Sequence, residues 1–279
     1  MGKGCCLCGV AKLVGHLIDT HCHLNHDGLR EEMDAAVQRA QAAGVIHLVV
    51  VSYDLASSIE AVAIAEKLTP YASAVVGIHP TMAHTCTREC LHILNELAHN
   101  PLVVGIGETG LDLHYPFPPL RTQLEGLHAQ LELAGRHNLP VVFHCRDAYG
   151  QLLTELRRCP PARGVMHCWA GNTDEAQQSV ALGLHLGFGG VTTFKSAVDI
   201  QRAAVECPQH RIVLETDAPF LAPVPYRSKQ NEPAYIAHTA AHIAKLRGVS
   251  PEELAHDCSR NAIELFPRLA TTVQAALRA

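Results

Sequence analysis

The chain has 279 residues, of which 48% are hydrophobic and 18% charged, and it carries a net charge of −5 with its 19 histidines neutral. This composition excludes a disordered chain, and the acidic balance excludes a protein that coats duplex DNA by neutralising its phosphates. No apolar run approaches the roughly 20 residues that span a bilayer. The 11 cysteines follow no framework spacing, so the thiols are expected to be reduced, in the cytoplasm.

Residues 1–15 lack an apolar signal core and read as a poorly ordered tail. Met1-Gly2 could open a myristoylation signal, but position 6 is Cys6 where Ser or Thr is required. Cys5, Cys6 and Cys8 are read as part of the tail. Residues 16–267 are expected to form one domain and 268–279 a helical tail.

Eight short runs rich in β-branched residues recur, at 16–21, 45–51, 74–79, 102–107, 140–144, 164–167, 184–189 and 211–216. They lack polar alternation, as strands buried on both faces of a parallel sheet do. Helical stretches fill the gaps at 28–43, 54–68, 87–99, 118–137, 147–158, 173–182 and 196–206. In 118–137, Leu120, Leu124, Leu127, Leu131 and Ala134 share one face, and Pro118 and Pro119 suit a first turn. Asn172 with Glu175 predicts a capped start. Ser250-Pro251-Glu252-Glu253 predicts another, opening a last helix that runs to about Phe266. Eight buried strands alternating with helices predict a single-domain α/β fold, a (β/α)₈ TIM barrel. A doubly wound sheet would place a glycine-rich phosphate turn after its first strand. Here that turn is His21-Cys22-His23-Leu24.

The chemistry lies in the residues that end the strands. His21 and His23 end the first, Glu108 the fourth, His144 the fifth, His167 the sixth and Asp217 the eighth. In a barrel these ends converge on one rim. Four histidines and two carboxylates exceed the needs of one tetrahedral ion and suit two, with Glu108 as the bridge. Cys22, Cys145 and Cys168 each follow a candidate ligand. Strand alternation turns them outward, as small apolar packing groups.

From Leu17 to Phe266 the chain resembles the TatD family of metal-dependent hydrolases, and its TatD/YcfH branch in particular. The resemblance rests on DTHCHL (19–24), GIHP (77–80), GIGETGLD (105–112), HCRDA (144–148), HCWAG (167–171) and ETDAPFLAP (215–223), extended by PVPYRSKQNEP (223–233) and SRNAIELF (259–266). It implies a deoxyribonuclease of exonuclease type with two divalent cations (Mg, Mn or Zn). His21, His23, Asp217 and Glu108 would hold one ion, and His144, His167 and Glu108 the other. His79, Arg146 and Arg227 fall in motifs near the substrate. Five positions depart from the family pattern: Asn25 for Asp, Thr109 for Ile, Ser228 for Gly, and Trp169-Ala170 for Phe-Ser.

The expected partner is DNA, as single strands or ends, or a small ester or phosphoester. No membrane partner is expected, and a monomer rather than an obligate oligomer. In the expected reaction Asp217 and Glu108 are catalytic, with Asp217 taking the proton of a metal-activated water. Arg146 and Arg227 meet phosphate charge, and Tyr226 and Trp169 stack a base or pack. The alternative keeps the site and changes the substrate, to an ester, an amide or an aminoacyl-tRNA.

Overall fold

The structure is a computed structural model and describes residues 17–276. The N-terminal tail with Cys5, Cys6 and Cys8 lies outside the described residues. The eight runs form one parallel sheet in chain order, each strand hydrogen-bonded to the next. They are β1 (Leu17–Cys22), β2 (Val45–Val51), β3 (Ala72–Val76), β4 (Val103–Asp112), β5 (Val141–Arg146), β6 (Gly164–Met166), β7 (His185–Phe188) and β8 (Ile212–Leu214). Between them lie α1 (Asp27–Arg30), α2 (Met33–Ala42), α3 (Leu55–Lys67), α4 (Arg88–Ala98), α5 (Leu120–His137), α6 (Tyr149–Arg158), α7 (Thr173–Ala181) and α8 (Val198–Glu206). Then follow α9 (Ile236–Arg247), α10 (Pro251–Leu265) and α11 (Leu269–Ala276). The molecule is a (β/α)₈ barrel.

Two apolar layers hold it together. Six strands send one β-branched residue each to the inner layer, Ile18, Val75, Val104, Val142, Val165 and Val213, and β2 sends both Val49 and Val51. Ala262, Leu265, Phe266, Leu269 and Val273 of α10 and α11 join that layer. Gly105 leaves the space that the Phe266 ring approaches. The outer layer lies between strands and helices and contains Cys22, Leu48, Val50, Phe143 and Cys145.

Polar groups from both strands close the β8–β1 seam. The Asp19 carboxylate accepts from the backbone N–H of Thr216 and pairs with its hydroxyl at 2.6 Å. The backbone continues the seam with Asp217 N–H to His21 O and His23 N–H to Ala218 O.

Several boundaries differ from those expected. The first helix is two, α1 and α2. Pro118 and Pro119 precede α5, whose N-cap is Pro119. The third strand leaves the sheet at Val76, and His79 caps a 3₁₀ turn over Pro80–Thr85. β4 runs five residues past the expected end at Gly107, to Asp112. α9 carried no strong start signal, because no side chain caps it. The two capped starts are as read: Asn172 and Glu175 form a capping box, and Ser250 caps α10.

Candidate metal centre

Glu108 is flanked by two glycines at which β4 has no room for a side chain against β5. A Cβ on Gly107 would stand 2.5 Å from Val142 O, and one on Gly110 would stand 2.0 Å from His144 O. Both glycines also have positive φ, +145° and +143°, which L side chains rarely adopt. The G-E-T-G run is therefore what lets Glu108 sit between β1 and β5.

The two Glu108 oxygens face different groups. Oε2 lies 3.4 Å from His21 Nε2 and 3.8 Å from His23 Nε2. Asp217 Oδ1 completes this cluster, 3.8 Å from His21 Nε2 and 3.4 Å from His23 Nε2. Those two nitrogens are 3.2 Å apart. Oε1 lies 3.0 Å from His144 Nδ1, 2.7 Å from His167 Nε2 and 3.5 Å from His79 Nε2. Neighbouring ligands of one ion, each about 2.1 Å from it, are about 3.0–3.4 Å apart. Both clusters have the size and donor set for a divalent cation. His21, His23 and Glu108 form one such group, and His79, Glu108 and His144 another.

Hydrogen bonds set which ring nitrogens are free to bind. His23 Nδ1 donates to Val51 O at 2.9 Å, which leaves Nε2 with its lone pair. His144 is reversed: Nε2 donates to Asp112 Oδ2 at 3.0 Å, so Nδ1 faces Glu108 with its lone pair. His79 differs again. Its Nδ1 accepts the Thr81 backbone N–H at 3.2 Å, so the neutral ring carries its proton on Nε2 and presents a donor to the site. This favours the expected substrate role for His79 over a ligand role.

The charges are strongly coupled. Burial disfavours charge on Glu108, yet His167, His79 and His144 outweigh it and hold the carboxyl well below the usual range. Burial likewise opposes charge on Asp217, and contacts with His23 and His21 overcome it. Both are carboxylates at neutral pH. Burial opposes charge on His144 and His23 too, but Asp112 and Glu108 raise the first and Asp217 raises the second. Burial and the neighbouring His144 push His79 down to about 3.

The remaining expected residues divide. Arg146 is exposed at the end of β5, 5.5 Å over the Tyr115 ring. Arg227 is exposed in the β8–α9 loop, 4.3 Å over Phe194. Both are on the rim. Trp169 is 2% exposed and packs on Tyr149, so it is a core residue with no face for a base. Tyr226 stacks on Tyr235. Cys22 and Cys145 are buried in the outer apolar layer, as expected. Cys168 is not: β6 ends at Met166, so strand alternation no longer applies. Cys168 sits half-buried in a turn with φ +45°.

These observations decide the family. The family described as "TatD related DNase" matches residues 18–267. The chain belongs to the TatD family. It is 37% identical to the "uncharacterized metal-dependent hydrolase YabD" of Bacillus subtilis, over 90% of this chain and 98% of that protein. It is 34% identical to the "3'-5' ssDNA/RNA exonuclease TatD" of Erwinia billingiae, over 90% and 98%. Among solved structures, the TatD homologue YJJV of Escherichia coli superposes with a TM-score of 0.85 at 31% identity, over 90% of this chain and 98% of that one.

Sequence reading missed four carboxylate and amide groups behind the TatD motifs. Asp112 backs His144 as above. Glu215 Oε1 lies 3.7 Å from His167 Nδ1 and accepts the Cys168 backbone N–H. The two glutamines are on α5. Gln123 holds the backbone N–H and carbonyl of Asp112, and Gln130 does the same for Ile78. Gln130 also donates to the Thr109 hydroxyl, which gives the departure at 109 a partner. Alternation offered a signal for Asp112 alone, four residues from Glu108 on β4, because Glu215 and Asp217 lie past the end of β8.

Proposed function

We propose that this TatD-family hydrolase cleaves phosphodiester bonds of DNA from an end, with two divalent cations at the paired clusters. The observation that carries the proposal is the division of Glu108, with Oε2 among His21, His23 and Asp217 and Oε1 among His144 and His167. Relatives that bear the name 3'-5' ssDNA/RNA exonuclease support the nucleic-acid substrate.

Held by His21, His23, Asp217, His144, His167 and Glu108, two cations would supply Lewis acidity to a phosphoryl oxygen and a bound water of lowered pKa. The chain supplies the rest. Asp217, ionised at neutral pH, is the proton acceptor at the centre. His79 offers its Nε2–H to a phosphoryl oxygen. Charge gained on the way to the pentacoordinate phosphate is met by Arg146, and Arg227 engages a phosphate further along the strand.

The test is digestion of single- and double-stranded DNA, labelled at the 3′ or the 5′ end, by protein reconstituted with Mg, Mn or Zn. A panel of esters, amides and aminoacyl-tRNA is assayed in parallel. Expected are up to two ions per chain, stepwise shortening of DNA from one end, and none in chelator. Full activity in chelator, or hydrolysis of the panel with no cleavage of DNA, overturns the proposal.

A further inference from the structure

The rim of the barrel is unusually apolar. Nine large apolar side chains are exposed among the described residues, and five of them lie in the loops after β4 and β8: Tyr115, Phe117, Phe220, Leu221 and Val224. All three cation–aromatic pairs among the described residues belong to the same rim. They are Arg146 on Tyr115, Arg227 on Phe194 and Lys229 on Tyr226. Rings interleaved with cations suit an unpaired polynucleotide, whose bases stack while its phosphates meet charge.

Phe220 stands out within this set. It is 45% exposed, yet its ring lies 6.0 Å from the ring of the candidate ligand His23 and 5.1 Å from His26. Its backbone is fixed. The Phe220 N–H donates to Asp217 O, and the Phe220 carbonyl accepts from the side chain of the buried Asn231. That same Asn231 amide also donates to Thr216 O, beside the ligand Asp217. A large ring thus stands half in water on the turn that carries Asp217, beside His23.

Resting on the phosphodiesterase reading above, we propose that Phe220 is the stacking platform for the nucleobase next to the phosphodiester being cut. A base inside a duplex has neighbours on both faces and must leave the stack to lie on this ring, which an unpaired end does at least cost.

The experiment compares two short single strands with metal-loaded protein. One has ordinary bases throughout, and the other is abasic at the last two nucleotides of each end. Wild type is expected to favour the base-bearing strand by roughly 5- to 150-fold in kcat/KM, the range that stacking of one base supports. Phe220→Ala brings that ratio toward one, mainly through KM, and Phe220→Tyr restores it. A second readout needs no turnover. A terminal 2-aminopurine is quenched on binding wild type in chelator and stays bright with Phe220→Ala. Equal cutting of both strands by wild type, or an unaltered ratio in Phe220→Ala, overturns the base site and leaves the nuclease reading standing. Cutting of neither strand by wild type overturns the nuclease reading and the base site with it.

Discussion

Histidines buried near the two ends of the barrel behave in opposite ways. Near the strand starts, His47 of β2 and His185 of β7 are 0% and 4% exposed. His47 meets the Ser73 hydroxyl at 3.0 Å, and burial lowers its pKa to about 4. Burial lowers His185 to about 4 as well, with Arg211 and His210 adding to the effect. At the strand ends, His21, His23 and His167 are as deeply buried but face Glu108 and Asp217. Burial alone therefore does not mark a ligand. What sets the second group apart is a buried carboxylate within reach of the free ring nitrogen, supplied by Glu108 of β4 and by Asp217 after β8.

The sharpest way to break this contrast is to remove the shared carboxylate. Glu108→Gln keeps volume and burial while taking the charge from both clusters. Metal analysis is expected to show both ions lost. Nuclease turnover should fall at least about 10³-fold, as when a unit of catalytic machinery is removed, with the circular dichroism spectrum retained. His21→Ala should lower the occupancy of one ion more than the other. An ion retained at full occupancy in Glu108→Gln would mean that Glu108 does not bridge.

The structural histidines predict acid lability. His47 and His185 are neutral in the folded state down to about pH 4, whereas in the unfolded chain they take a proton near 6.5. The unfolded state therefore binds more protons as pH falls from 6.5 to 4. The stability these rings contribute is complete above 6.5 and is lost across that window, on the order of 3 kcal/mol for each ring. Urea unfolding of metal-free protein at a series of pH values should show that slope, and His47→Gln with His185→Gln should flatten it. An unchanged slope would mean that water reaches these rings.

A smaller effect separates the ligands from what holds them. Asp112→Ala removes the acceptor for His144 Nε2–H and frees the ring to change tautomer. Metal titration is expected to show one ion bound about 10- to 100-fold more weakly, the range for loss of such a partner, with the other ion little affected. Equal binding of both ions would leave Asp112 only its bond to the His114 backbone N–H.

The sequence made the barrel and the six candidate ligands legible for one reason. Both follow from residue type at a strand end, and strand ends can be counted. What stayed hidden depends on depth and on neighbours. The apolar face read on α5 was Leu120, Leu124, Leu127, Leu131 and Ala134, but the deepest seam also carries Gln123 and Gln130, each 1% exposed. Hydropathy cannot find a glutamine that is buried because it binds a neighbouring backbone. Trp169 followed a ligand motif and looked available to a base. The Tyr149 ring that covers it comes from another helix. Cys168 failed for a local reason, since alternation ends where β6 does. Asn25 keeps a structural role without charge, donating to Val51 O, the same carbonyl that orients His23.

The smallest expected effect is at Cys22, between the two candidate ligands of the first motif. Its Sγ lies 3.6 Å from Val49 O on the far side of the strand, within the outer apolar layer. Burial, with Asp19 next, pushes its thiol well above the usual range, so at neutral pH it is an uncharged packing group. Cys22→Ala should leave metal content and activity unchanged and cost about 1 kcal/mol or less in lost packing, as small core truncations do. If it lowered metal content, β1 would have to turn at Cys22 toward the barrel axis. His21 and His23 could not then both face Glu108, and the contrast between the two ends of the barrel would lose its first pair of ligands.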